Sequence, residues 1–279
     1  MLEERLTQAI NILASLGVKV HSTGRHRSAQ RKMEVFNQGK LLDLTDDGQR
    51  VKLEAADRTA FETVLIASAA YRSRLTETPF TIERLQMMMK DHSRARDTQF
   101  ELMLGAMFTL GGVDVTSGEP DLRIEYGEEV VGVAAKRVES LRDDKIKRRA
   151  REAERQIRGS GLRGWIAINL DTRFSNVDPT VPEKALLKEV NDLFSNVAEV
   201  IRTNTDGGDV IGIMLYGYAT VWEQHTSAEA PRYRTAIFQR REPYAEDDHQ
   251  FAETFFRALD DRWDRSVATI WSRDYAWRM

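Results

Sequence analysis

The residues whose types and spacing could do chemistry fall in one stretch of the chain. Gly118-Glu119-Pro120-Asp121 is followed by Val131-Gly132-Val133-Ala134-Ala135-Lys136, with Gly127-Glu128 between the two segments. Leu122, Ile124 and Tyr126 alternate with polar residues, and residues 130–136 form a small, β-branched run, so both limbs read as strands. A tight turn at Gly127-Glu128, favoured by glycine at its first central position, pairs Tyr126 with Glu129. Continued in step, that register sets Asp121 opposite position 134 on one face of the ladder, with Cβ atoms roughly 5 Å apart. Lys136 lies two residues further along the same face. Glu101, beside the apolar stripe of the preceding helix, can reach the edge of this patch. A bulge would shift the register by one residue and undo the arrangement.

Two carboxylates and a lysine are what metal-assisted phosphodiester hydrolysis requires. Hard oxygens hold Mg²⁺, the metal lowers the pKa of a bound water, and an ammonium group orients that water or offsets the developing charge. The two segments resemble the PD-(D/E)XK signature of restriction-type endonucleases and related resolvases, over residues 97–170. The resemblance implies an α/β fold with a restriction-endonuclease-like core in the order α-β-β-β-α-β, a mixed sheet flanked by helices. It further implies that Asp121 and the Ala135 carbonyl hold Mg²⁺ or Mn²⁺, and that Glu101 holds or orients a second metal or a water. Lys136 would position the nucleophile, and Gln156, on the following helix, would orient the substrate or a neighbouring ligand. The pattern calls for Asp or Glu two residues before the lysine, and this chain has Ala134. Metal binding is therefore expected to be weak or absent. Two readings follow: a nuclease inactivated by an engineered acid-to-alanine change, or a naturally degenerate member that binds without cutting.

The elements that must position these residues can be read from periodicity. Leu2, Leu6, Ile10 and Leu13 predict an opening amphipathic helix ending at Gly17. Further helices are expected over residues 57–75 and from about Thr81, where Met87, Met88 and Met89 read as core. Phe100, Leu104, Met107 and Phe108 predict a helix over 97–110, followed by a short strand at 113–115. A helix over 142–158, a buried strand over 165–170, a helix from Pro182 to about Arg202 and strands over 210–218 and 233–238 follow. Phe251, Phe255, Leu259 and Trp263 recur at steps of four and close the chain with an amphipathic helix. The expected organisation is a helical N-terminal region (1–95), a nuclease-like domain (96–220) and a C-terminal strand and helix (221–279) that pack on the core or on a partner.

Composition limits the partners. With 41 basic and 44 acidic residues the formal net charge is −3, so no global field draws a polyanion and any nucleic-acid surface must be local. Between residues 136 and 158, ten basic residues meet five acids, which suits a phosphate footprint formed by Arg137, Arg142, Lys145, Lys147, Arg148, Arg149 and Arg155. Residues 21–32 hold Arg25 and Arg27 with no acid, and read as a solvated or phosphate-contacting loop. Cysteine is absent, which excludes disulfides, thiolate zinc sites and a cysteine nucleophile. The five histidines show no zinc-ligand spacing. Gly159-Ser160-Gly161-Leu162-Arg163-Gly164 has the glycine pattern of a dinucleotide loop, but a helix precedes it and a strand follows, the reverse of what that loop needs. No ATPase-type phosphate loop is present, so an energy-dependent step would need a helicase or ATPase partner.

The expected function is thus a metal-dependent DNA endonuclease in anti-phage defence, restriction or repair, with RNA left open as a substrate. It would act as a homodimer, through the aromatic residues Trp263, Trp271, Tyr275 and Trp277, or as a subunit of a defence complex. The alternative is a non-catalytic nucleic-acid-binding or regulatory subunit on the same scaffold. With no secretory leader or membrane span read in the sequence, the protein is expected to be soluble and cytoplasmic.

Overall fold

The computed structural model describes residues 2–20, 24–37, 47–73, 78–170, 183–223 and 232–271. Its elements are α1 (Leu2–Ser15), α2 (Arg25–Asn37), α3 (Asp47–Ser73), α4 (Ile82–Met88), α5 (Ser93–Leu110), β1 (Asp114–Ser117), β2 (Leu122–Tyr126), β3 (Glu129–Arg137), α6 (Asp143–Ser160) and β4 (Gly164–Asn169). Then come α7 (Glu183–Arg202), β5 (Val210–Glu223), β6 (Arg232–Pro243), a short 3₁₀ turn and α8 (His249–Trp271).

The strands form one mixed sheet in chain order, β1 to β6. β1, β2 and β3 are antiparallel, β3, β4 and β5 are parallel, and β6 returns antiparallel to β5. The β2–β3 register is that of a two-residue turn: Tyr126 pairs with Glu129 and Leu122 with Val133, and Gly127 takes a φ of 65°. Parallel neighbours must be joined by a crossover, so α6 runs back from the end of β3 to the start of β4.

Helices cover both faces of the sheet. Alternation along the three central strands sorts their side chains: Val133, Ala135, Trp165, Ala167, Met214 and Tyr216 join the apolar cluster with α3, α5 and α8. Ala134, Ile166, Ile168, Ile213 and Leu215 join the other, with Ile146, Ala150 and Ile157 of α6 and Phe194 and Ile201 of α7. Burial on both faces explains why these strands read as near-continuous apolar runs. α1, α2 and α3 share a smaller cluster through Leu6, Ile10, Ala29, Met33, Ala56 and Ala60.

Several boundaries differ from the sequence expectation. α3 starts at Asp47 and α5 at Ser93, both upstream of where apolar periodicity begins. The stretch expected as a loop contains α2: buried His26, Ala29 and Met33 recur at helical spacing beneath a basic surface that hides the pattern in the sequence. Met88 and Met89 are core, as are Phe255 and Leu259 of α8, while Trp263 packs against that core from its rim. Residues 21–23, the side chain of Trp271, Tyr275 and Trp277 lie outside the described residues. Among the described residues no helix is long and apolar enough to cross a membrane.

Gly132 fixes where Asp121 stands. A Cβ at position 132 would lie 2.7 Å from Cγ and 2.8 Å from Cδ of Pro120, so the proline ring rests on bare backbone and delivers the next residue, Asp121, to the strand edge. Gly132→Ala is expected to destabilise the fold by about 1–3 kcal/mol through this overpacking, read as a lower urea midpoint at unchanged slope. An unchanged midpoint would show that Pro120 gives way freely.

Candidate active site

β3 is longer than its neighbour. β2 begins at Leu122, paired with Val133, so beyond that point the β2-side edge of β3 lacks a partner strand. Asp121 completes the ladder with its own backbone and side chain. Its N–H donates to the Val133 carbonyl (3.2 Å), and its Oδ2 accepts from the Ala135 N–H (2.8 Å). Oδ2 also accepts from Lys136 Nζ (2.9 Å), and the same ammonium donates to the Ala135 carbonyl (3.1 Å). Both side chains of the pair are mostly buried, 13% exposed for Lys136 and 16% for Asp121. This shelter makes the pair stronger than one in open water.

Glu101 approaches from α5 and pairs with Arg84 of α4. Burial, and then the charge of Asp121, push its carboxyl up to about 7, against the pull of Arg84 and Lys136. Ser93, Asp97 and Glu101 recur at steps of four on α5, a polar stripe facing the end of β3. Arg137 grips this stripe. Its Nε donates to Asp97 Oδ1 (3.0 Å) and its Nη2 to Ser93 Oγ (3.1 Å) and Glu139 Oε1 (2.8 Å). The hydrogen bond and charge of Arg137 hold the Glu139 carboxyl below its usual range.

Ala134 does not open onto this group. It is fully buried on the α6 face, in the cluster of Ile146, Ala150 and Ile166. Lys136 shares that face by alternation, and its longer side chain carries the ammonium round to the open edge.

The structure therefore brings together Asp121, the backbone of Ala135, Lys136 and, from across the edge, Glu101. Gln156 is not brought in. Its neighbour Ile157 packs at Gly164, which pairs with Gly132, and Lys136 lies four residues along β3, about 13 Å away. Arg155 lies at that same far end of α6 and donates to the Arg151 carbonyl. Arg25, expected to meet phosphate, is instead half-buried: it donates to the Met88 carbonyl and to Gln99, and desolvation lowers its pKa to about 10. Arg27 binds Gln30 on its own helix. Arg137 is likewise a buried tie between α5 and β3, not a surface contact. Arg142 pairs with Asp144 at the surface, and Lys147 is half-buried on α6. Lys145, Arg148 and Arg149 line a cavity beside Arg137. Sequence reasoning missed Arg84, Asp97 and Ser93. The step of four from Glu101 could have exposed the last two, while nothing local marks Arg84.

The oxygens at the edge fit a hard divalent cation. Asp121 Oδ2 and the Ala135 carbonyl already converge on one cationic atom, Lys136 Nζ, and Mg²⁺ commonly takes only one or two carboxylates from a protein. Among the described residues no three His, Cys, Asp or Glu side chains are grouped to hold a metal, so Asp121, Ala135 and Glu101 are what the site offers. Comparisons with models of protein families, with curated proteins and with solved structures find no match to this chain.

If a metal binds at this edge, Glu101 would make its affinity pH-dependent. A carboxyl raised from 4.5 to about 7 favours the folded state while protonated, and that contribution is lost as pH rises through this window. Below about 7 a metal must displace its proton, so Mn²⁺ affinity by titration calorimetry is expected to climb up to roughly tenfold per pH unit and level off above it. Glu101→Gln is expected to flatten the profile; a slope that survives it would remove Glu101 from the metal site.

Proposed function

We propose that the chain is a PD-(D/E)XK-type, metal-dependent endonuclease fold acting on DNA, in a form whose cleavage is impaired by Ala134. The observation that carries this reading is the position of Lys136 Nζ, held between Asp121 Oδ2 and the Ala135 carbonyl at the open edge of β3. The order α5-β1-β2-β3-α6-β4, with β3 and β4 parallel, supports a restriction-endonuclease-like core.

In this reading Asp121 and the Ala135 carbonyl hold Mg²⁺ or Mn²⁺, with Glu101 joining once its proton is lost. The metal would supply a water of lowered pKa and charge stabilisation for the attacked phosphodiester. Lys136, freed from Asp121 by the incoming phosphate, orients the nucleophile or offsets charge on the phosphorus oxygens. Arg84 keeps Glu101 aimed at the edge. Position 134 supplies no ligand, so the first coordination shell is short of one carboxylate.

A second reading draws on a different observation. Ala134 is enclosed by α6 and β4 as an ordinary core residue, which suits a non-catalytic nucleic-acid-binding subunit with the acid long lost.

Restoration separates the two. Ala134→Glu and Ala134→Asp would be assayed on plasmid, single-stranded DNA and RNA with Mg²⁺ or Mn²⁺, after circular dichroism shows that each variant is folded. Metal-dependent cleavage, lost again on Lys136→Ala, is the result expected of an impaired nuclease. Folded variants that bind DNA but never cut it support the binding subunit instead. Folded protein that neither cuts nor binds at low salt would exclude both.

A further inference from the structure

The start of α6 and the end of β3 enclose a cavity of about 160 Å³, walled by Arg137, Glu139, Ser140, Lys145, Arg148 and Arg149. That is roughly ten times the space a single water needs. Four cations face it from two elements, and their neutralisation is incomplete. Glu139 is committed to Arg137, and Glu152 is shared between Arg149 (2.8 Å) and Arg148 (3.8 Å). Lys145 has no ion pair among the described residues. Arg137 adds a buried donor: its side chain is 3% exposed, Nε and Nη2 are engaged, and Nη1 has no partner among the described residues.

A fixed guanidinium, partly exposed cations at the rim and a serine hydroxyl form a receptor for a compact, multiply charged oxyanion. Arginine meets phosphate with paired donors, and lysine adds a point charge. An extended backbone would need an open groove, whereas concave walls suit a tetrahedral group at the end of a ligand.

We propose that this cavity binds a phosphomonoester, presented by the end of a nucleic-acid strand. The phosphate chemistry follows from the cavity alone; the strand as its source rests on the nuclease reading, because Arg137 is the residue after Lys136 and the cavity adjoins the candidate active site. A strand end held here would set the register of the chain entering that site.

The test is fluorescence anisotropy on one oligonucleotide with a 5′-phosphate, a 3′-phosphate or hydroxyl ends, with inorganic phosphate and a nucleoside monophosphate as competitors. The probes are the native chain, Lys145→Ala and Arg148→Glu, which spare the structural Arg137. One phosphorylated end is expected to bind roughly tenfold more tightly than the hydroxyl end, and both variants are expected to erase that preference. If affinity ignores the end group while both variants weaken all strands equally, the cavity contacts backbone: the end-phosphate proposal falls and the nuclease reading stands. If no strand binds but the monophosphate does, more weakly in both variants by calorimetry, the cavity is a phosphate site and its strand source falls with the nuclease reading. Binding of neither strand nor phosphate overturns the proposal outright.

Discussion

Because β3 runs past the start of β2, the N–H of Ala135 points at an edge with no strand to receive it. A buried amide left without an acceptor costs about 1–3 kcal/mol, and the Asp121 carboxylate meets that demand. The rest of the site follows from this bond. A carboxylate drawn into the edge needs a counter-charge, which Lys136 supplies. The negative charge so fixed helps to raise the Glu101 carboxyl, whose remaining charge is steadied by Arg84. With Glu101 ionised the arrangement is neutral, two acids against two bases.

Two packing constraints keep that edge in place. Pro120 packs on the bare backbone of Gly132, which seats the residue before Asp121 against β3. On the other side Arg137 ties α5 to β3 through Asp97 and Ser93, and with it the helix that carries Glu101. The guanidinium is buried while both carboxylates reach solvent, so the tie rests on geometry and hydrogen bonding more than on the charge pair alone. Arg137 thus acts on Glu101 through the angle of a helix and not through contact.

How much of this was legible in the sequence depends on how local each cause is. The hairpin register needs only Gly127-Glu128 and strand alternation, so the order of residues alone implies the proximity of Asp121 and Lys136, although it also set Ala134 in their patch, where packing beneath α6 encloses it instead. Charge content misled wherever burial decided the role. Arg25 looked like a phosphate contact in a basic run, yet it is a half-buried donor to Met88 and Gln99, many residues away. Gln156 looked well placed on the following helix, but a crossover helix runs back along the sheet and carries its last turns away from the end of β3. Arg84 reaches Glu101 only because α4 folds against α5, which no local pattern announces.

Ala134 can be judged by the same charge balance. A third carboxylate at position 134, beside Asp121 and Glu101, would leave three acids against Lys136 and Arg84, and the surplus negative charge would favour a bound cation over an empty edge. With alanine that surplus is gone, and the Lys136 ammonium can rest between the oxygens of Asp121 and Ala135. On the proposed nuclease reading, alanine would then do more than withhold one ligand, because a metal would have to compete with a lysine already in place. Alanine also suits the apolar packing beneath α6, where a charged group at a fully buried position would have to bend toward the edge or give up its charge. Packing and a carboxylate would pull in opposite directions at this residue, and alanine takes the side of packing.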